Sequence, residues 1–513
     1  MATTTVDAAE TEPAPPTLRP FALVPVVAVT AVSAVLLLFS ASRYGYFGDE
    51  LYFLAAGRRL SFGYADQGPV LPLLAWLMDS LWSGSLVVLR LPAVVLTLAA
   101  VVISALIARE LGGGRGAQLL TAVAYASSPF LLLQGDNLST NAVDCALWVV
   151  ITWLVVRWVR TRQDRLLLFA ALVTAVDMQV KWLIPAFWVV LAVCALIFGP
   201  RDLVRRPLLW LGGLIVVLVS VPSLLWQADH GWPQLALAEA VADEQVYSGG
   251  AIGFLPLAIV IAGVLGAPLL CFGVWVLMRR PALRPYRFLG ATMLVLAVLF
   301  MFTGGRIYYL GGMYAVMFGA AAVILAQHWK QAASRRRRRV LTGTGVLVSV
   351  VSVAVVVWSL PWQSAQDIPV PAGQDEAALQ ISLYGEFGWP ELTAAVVAAH
   401  RSLSPSEQRN SAVITDTYWQ AGALDQLARD ELPPIYSPAR GFGYFAVPPD
   451  SATTFVCVGG EQTQLRTQFA VLEPIGRVDT RLGFPGDSRD VTLWKCAQPK
   501  ASWSQVWPEW MRL

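Results

Sequence analysis

The sequence predicts an α-helical polytopic membrane protein. About eleven transmembrane helices are expected, with interfacial helices beside them and a small α/β domain at the C-terminal end. Three observations predict this. The 513 residues are 56% apolar and only 14% charged, where a soluble domain carries about a quarter. Apolar stretches close to the ~20 residues that cross a bilayer recur along most of the chain. The basic residues fall in alternate loops between those stretches.

The elements follow in order. Residues 1–20 are polar and rich in Pro and Thr, and are expected to be a disordered cytoplasmic terminus. The predicted spans are 21–40, 88–108, 117–134, 141–159, 166–182, 184–199, 208–226, 252–277, 287–303, 308–327 and 340–360. The first exceeds the apolar core of a usual signal peptide, so it reads as a retained anchor. The stretch 70–82 is too short to cross and suits an interfacial helix.

Charge sets the orientation. Arg109 and Arg115 flank one loop, and Arg157, Arg160, Arg162 and Arg165 fill the next on the same side. Arg201, Arg205 and Arg206 come next, then Arg279, Arg280, Arg284 and Arg287, then Lys330 with Arg335 to Arg339. The excess of Lys and Arg places all of these loops in the cytoplasm. An odd number of spans then puts residues 361–513 outside. The arginine run sits between two spans, where topology explains it without nucleic acid.

The composition changes at Pro361. Ala412 to Thr415 and Thr454 to Val458 read as strands, and Glu391 to His400 as a helix. Residues 21–360 are thus the expected membrane domain and 361–513 the extracytoplasmic domain. Cys457 and Cys496 can pair if that domain lies outside, while Cys145, Cys194 and Cys271 fall in apolar segments as small hydrophobes.

The opposite loops are poor in Lys and Arg and rich in acids, aromatics, Gly and Pro. Chain order scatters them, yet topology collects them on one face. Asp49 and Glu50 follow the first span, and Asp66-Gln67-Gly68-Pro69 lies in the same loop. A carboxylate there can take the proton of an acceptor hydroxyl during glycosyl transfer. Asp66 is a candidate for acceptor positioning or metal binding. Asp144 lies just inside the fourth span, and Asp177 and Lys181 are four apart, so one helical face can pair them. Lys181 is a candidate phosphate contact. Trp226-Gln227-Ala228-Asp229-His230 fits an aromatic interface belt carrying a lone histidine. Arg306, followed by Ile307-Tyr308-Tyr309, can present a bidentate fork to a phosphate.

Taken in order, these segments resemble the polyprenyl-phosphate-sugar-dependent glycosyltransferases of the GT-C superfamily. The chain is most similar to the protein O-mannosyltransferase and lipid A aminoarabinose transferase-like family, glycosyltransferase family 39, in its actinobacterial-type members. The residues that carry the resemblance are Gly48-Asp49-Glu50-Leu51-Tyr52, Asp66-Gln67-Gly68-Pro69, Trp226 to Pro233 and Gly304 to Leu310. The tail adds Phe387-Gly388-Trp389-Pro390 and Tyr418-Trp419-Gln420-Ala421-Gly422-Ala423.

The resemblance implies a GT-C-like fold and an inverting transfer from a polyprenyl-phosphate sugar. It implies Asp49 as base with Glu50 in support, and Lys181, Arg306 and Tyr308 around the lipid phosphate. Asp144, His230 and Tyr309 complete the expected substrate-binding set. It leaves open a divalent metal, with Asp66 as its ligand. Three positions depart from the family: Gln67 stands where a basic residue is found in the aminoarabinose transferases, Gly68 where Pro is common, and Arg59 where His is frequent.

The acceptor implied is a hydroxyl on a glycan, lipid, protein or secreted metabolite, at the surface of the bilayer. Two other classes fit many spans and buried charge: a transporter or flippase of lipid-linked sugar, and a non-catalytic assembly protein. A transporter would more often carry repeated halves and broken helices in matching positions, and neither is seen in the sequence.

Overall fold

The computed structural model describes residues 18–244, 250–332 and 334–513. Most of the N-terminal stretch expected to be disordered therefore lies outside the described residues. The membrane part runs α1 (Leu23–Ala41), α2 (Gly48–Gly57), α3 (Val70–Leu81), α4 (Leu86–Glu110), α5 (Arg115–Ala126), α6 (Pro129–Leu133), α7 (Thr140–Thr161) and α8 (Arg165–Asp177). It continues with α9 (Ile184–Phe198), α10 (Pro207–Asp229), α11 (Pro233–Glu244), α12 (Gly250–Val260), α13 (Gly263–Arg279), α14 (Arg287–Phe302), α15 (Tyr314–Gln331) and α16 (Arg335–Trp358).

Among the described residues seven helical segments are long and apolar enough to cross a membrane, and nine if two bent pairs each count as one. The bent pairs are α5 with Pro129–Asp136, at 72°, and α12 with α13, at 108°. Their breaks lean on each other. Gly263 has φ +83°, and a Cβ there would meet Pro129 Cδ at 2.7 Å. Ser128 Oγ donates to the Ile261 carbonyl at 3.0 Å, absorbing a carbonyl that the break releases from its helix.

The expected count of about eleven is corrected by length. The predicted fifth and sixth spans are α8, of 13 residues, and α9, of 15. At 1.5 Å per residue they extend only about 20 and 22 Å, less than the ~30 Å hydrocarbon core. Their connections nevertheless follow the predicted alternation. Arg162, before α8, pairs with Asp202, after α9, at 3.1 Å, and Arg206 reaches Asp164 at 3.6 Å. The turn between them lies at the other end, where Lys181 meets Asn141.

The five basic loops share one face. Arg160 pairs with Glu110 at 2.5 Å, Lys330 lies against Gly114, and Arg280 approaches His328 at 3.4 Å. With the pairs to Asp202, these contacts join all five. The core between the faces is continuous and apolar, with Trp148, Trp158, Phe187, Phe288 and Tyr314 deeply buried.

Beyond Pro361 come the short α17 (Gln374–Leu379) and α18 (Ile381–Tyr384), then α19 (Trp389–Arg401) and α20 (Pro405–Arg409). A five-stranded sheet follows: β1 (Ser411–Thr415), β2 (Ile435–Tyr436), β3 (Thr454–Val458), β4 (Phe469–Val478) and β5 (Val491–Pro499), in the order β2-β1-β3-β5-β4. β1 is parallel to β2 and β3, and β5 is antiparallel to β3 and β4. The two strands and the helix expected from sequence are β1, β3 and α19. β1 and β3 are buried along their whole length, which is why they read as unbroken apolar runs. Cys457 on β3 and Cys496 on β5 are disulfide-bonded. Helix α21 (Tyr418–Leu427) follows β1, and α22 (Gln462–Gln468) and α23 (Trp503–Trp510) complete the domain.

Candidate active site

The face opposite the basic loops gathers the acidic and aromatic segments. Helix α2 begins there. Its first turn carries Asp49 and Glu50, where the partial positive charge of a helix N-terminus favours carboxylates. The two acids have different surroundings. Glu50 is fully buried. Its Oε1 accepts from Arg90 Nε and Leu138 N, both at 2.9 Å. Its Oε2 accepts from Arg90 Nη2 at 2.8 Å and from Phe47 N at 3.0 Å. Arg90 also donates to the carbonyls of Ala41 and Gly45. Glu50 is thus the point at which α1, α2, α4 and the 134–139 turn are tied. Both oxygens of Glu50, expected in support of Asp49, are committed to protein donors.

Asp49 is half-buried and faces the C-terminal domain. Its Oδ1 accepts from Tyr418 Oη and from Trp419 Nε1, each at 2.8 Å. Both donors stand at the start of α21. Glycines make this approach possible. A Cβ on Gly48 would collide with the Trp419 indole, and one on Gly422 would meet the Leu51 and Tyr52 backbone at 2.8 to 3.0 Å. At the far end of α2, Arg58 and Arg59 both pair with Asp425, at 2.7 and 2.8 Å. Helices α2 and α21 therefore lie flush and are pinned at both ends.

Asp66 lies beside this pair. Tyr52 Oη donates to its Oδ1 at 2.7 Å. Gly441 packs against Tyr52 and Asp66, where a side chain would collide. Arg440, in a left-handed conformation with φ +52°, brings its charge close to both Asp49 and Asp66. Lost hydration raises both carboxyls above their ordinary range. The bonds from Trp419 and Tyr418 oppose this at Asp49, the bond from Tyr52 opposes it at Asp66, and Arg440 opposes it at both.

A second cluster centres on Lys181. Its Nζ donates to Asn141 Oδ1 at 3.0 Å. It also lies 4.4 Å from the Tyr309 ring centre and 5.2 Å from that of Tyr308. Arg306 brings its charge to Tyr309. The expected pairing of Lys181 with Asp177 is not formed: neither Asp177 oxygen has a hydrogen-bond partner. Asp144 is buried one turn beyond Asn141, and its Oδ1 likewise lacks a partner.

The two clusters are linked through the loop that follows α2. Gly68 sits on the Gln179 carbonyl with no room for a side chain, and Val70 N donates to that carbonyl at 3.2 Å. Ser223 Oγ lies 2.6 Å from both the Phe62 carbonyl and Gln179 Oε1. Gln227 Nε2 donates to the Tyr64 carbonyl at 2.8 Å. Asp66 and Lys181 are thus each two residues from one backbone contact. His230 is elsewhere. It is exposed, stacked on Trp226 at 4.0 Å and 6.0 Å from Tyr444, at the rim and not among the carboxylates.

Among the described residues no group of three or more His, Cys, Asp or Glu side chains is placed to hold a metal ion. Asp66 has one oxygen committed to Tyr52 and the charge of Arg440 nearby. That is too few protein oxygens for a Ca²⁺ cage, whereas Mg²⁺ takes most of its ligands from water and substrate phosphate and needs only one or two carboxylates. Sequence reasoning missed Tyr418, Trp419 and Arg440 as parts of the site. The Tyr418-Trp419 pair stood out in the tail, but no sequence pattern joins it to a loop about 370 residues earlier.

Comparisons with known proteins agree with this architecture. Residues 66–226 match the family model described as dolichyl-phosphate-mannose-protein mannosyltransferase. That segment includes Asp66, Asp144 and Lys181, and excludes Asp49, Arg306 and the C-terminal domain. Two crystal structures of ArnT from Cupriavidus metallidurans share the fold. The apo structure has a TM-score of 0.60 at 16% identity, covering 92% of this chain and 97% of that chain. The structure bound to undecaprenyl phosphate has a TM-score of 0.54 at the same identity and the same coverage. At this identity the likeness is one of fold, and the chain has an ArnT-like fold. A search of curated protein sequences finds no significant match.

Proposed function

We propose that the protein is a membrane glycosyltransferase that moves a sugar from a polyprenyl-phosphate donor to an acceptor hydroxyl, with inversion and with Asp49 as general base. The observation that carries this is the pairing of two clusters across one loop contact. Asp49 and Asp66 form the acidic cluster, and Lys181 with Tyr308, Tyr309 and Arg306 forms the cationic one. The matched family description and the lipid-phosphate-bound ArnT of like fold support a donor of this class.

The chemistry follows from the charges. The acceptor oxygen attacks the anomeric carbon as the bond from that carbon to the phosphate oxygen breaks. The electron pair leaves with the phosphate, and the acceptor proton passes to Asp49. A phosphate leaving group is already anionic, so it needs cations more than an acid. Lys181 and Arg306 would supply them, with the tyrosines shaping the cluster. Asp66 and Tyr52 would orient the acceptor, and Glu50 would hold α2 in place. We place this face and residues 361–513 outside the cell, with the N-terminus in the cytoplasm. The basic loops on the other face and the disulfide in the C-terminal domain support that orientation.

The test is incubation of the purified protein with a panel of polyprenyl-phosphate sugars, followed by mass spectrometry of donor and products. Consumption of one donor, lost in Asp49→Asn, is expected. If no donor is consumed while vesicles reconstituted with the protein translocate a lipid-linked sugar, the enzyme reading is wrong.

A further inference from the structure

We propose that Tyr418 and Trp419 are positioning residues for this reaction, and that the C-terminal domain completes the site by fixing which oxygen of Asp49 receives the acceptor's proton. The inference rests on the reading of Asp49 as base. A carboxylate oxygen has two lone pairs, and Oδ1 of Asp49 meets two donors, Tyr418 Oη and Trp419 Nε1, each at 2.8 Å. With both lone pairs engaged, Oδ1 is closed to a proton. Oδ2 then takes it.

The two donors are rigidly held. Trp419 is wedged between Phe47, Trp389 and Phe484, at 5.1, 6.2 and 5.8 Å between ring centres. Gly48 leaves room on α2 for its indole, and Thr417 caps α21 by accepting from Gln420 N at 3.3 Å. The Arg58 and Arg59 pairs to Asp425 fix the other end of the helix. No rotation of Asp49 keeps both bonds, so the direction of its remaining oxygen is set by residues about 370 positions away.

The groups facing Asp49 are Glu50 on its own helix, Asp66 from the following loop, Arg440 from the 440–444 segment, and Tyr418 and Trp419 from α21. Among these the two donors act directly on Oδ1. Removing either one should leave Asp49 protonated to a higher pH, because each bond favours the ionised form.

The test uses the full chain in detergent micelles. A hydrophobic carbodiimide labels protonated carboxyls, and peptide mass spectrometry reads the labelling of Asp49 against pH without any substrate. Tyr418→Phe and Trp419→Phe are each expected to raise the midpoint by about one pH unit. With undecaprenyl-phosphate mannose as donor probe, the acid limb of the rate profile should move with it. The kcat should fall about tenfold at unchanged donor KM. In an Asp49→Asn background, Tyr418→Phe should add no further loss.

A midpoint that does not move in a variant overturns the proposal for that residue. A misfolded fraction titrates at the ordinary carboxylate value, below the folded one, so misfolding moves the midpoint down and not up. Should Asp49→Asn retain turnover, the base assignment fails, while the labelling shift still judges the positioning.

Discussion

Arg90 Nη2 lies 2.8 Å from Glu50 Oε2, and neither side chain is more than 1% exposed. Such a pair is weak evidence of net stabilisation, but breaking it leaves a buried charge without its partner. We expect Glu50→Gln and Arg90→Ala to lower stability by about 3–5 kcal/mol. Thermal melting of the purified variants checks this. A Glu50→Gln protein that melts like the parent yet has lost turnover would return Glu50 to a chemical role.

The glycine contacts between α2 and α21 give a second expectation. Gly48→Ala places a methyl group into the Trp419 indole. Overpacking of this kind costs about 1–3 kcal/mol, and here the strain falls on the bond to Asp49. Turnover should drop more than melting temperature does. Gly84→Ala, where a Cβ meets nothing but φ is +77°, is the control for backbone strain alone.

Lys181 is expected to act on the donor and not on the acceptor. Lys181→Ala should raise the donor KM roughly 10- to 100-fold, as loss of one charged hydrogen bond of about 1.5–3 kcal/mol implies. Acceptor KM should stay as it is. The check is a pair of saturation curves, and a change confined to the acceptor curve would remove Lys181 from the phosphate site.

The raised carboxyls at Asp49 and Asp66 set the pH response. A base works ionised, so activity should fall as pH drops through a value above the ordinary carboxylate pKa of about 4. The sign for stability is opposite. A carboxyl raised in the folded state contributes most below its unfolded pKa, and that contribution is lost as pH rises through the folded one. Conditions that favour the fold at this site therefore oppose catalysis. A pH–rate profile alongside a pH–melting profile should show the two trends crossing.

The disulfide closes a separation of 39 residues between Cys457 and Cys496. The chain-entropy account gives about 4 kcal/mol for a loop of that length. Replacing both cysteines by serine should lower the melting temperature of the C-terminal domain. Because Tyr418 and Trp419 of that domain bond to Asp49, turnover should become heat-sensitive at the same temperature. Unaltered melting after reduction would show that the bridge contributes little.

Much of this architecture could be read from residues alone. Apolar runs and alternating charge defined the spans and the two faces, because the bilayer imposes one length and one satisfaction rule on every crossing. The acidic loop and Lys181 were legible for the same reason: charge beside a membrane is costly and stands out. The short helices α8 and α9 were over-counted in length, since a run of apolar residues does not reveal where backbone hydrogen bonding stops.

What only the tertiary structure decided is how the two acids divide their partners. Glu50 and Asp49 are neighbours in sequence, and nothing local separates them. Arg90, 40 residues on, claims Glu50, and Tyr418 and Trp419 claim Asp49. These partners arrive through glycine-sized gaps between a membrane-surface helix and a distant domain. Sequence periodicity records which face of a helix is buried, but not which other helix comes to lie on it.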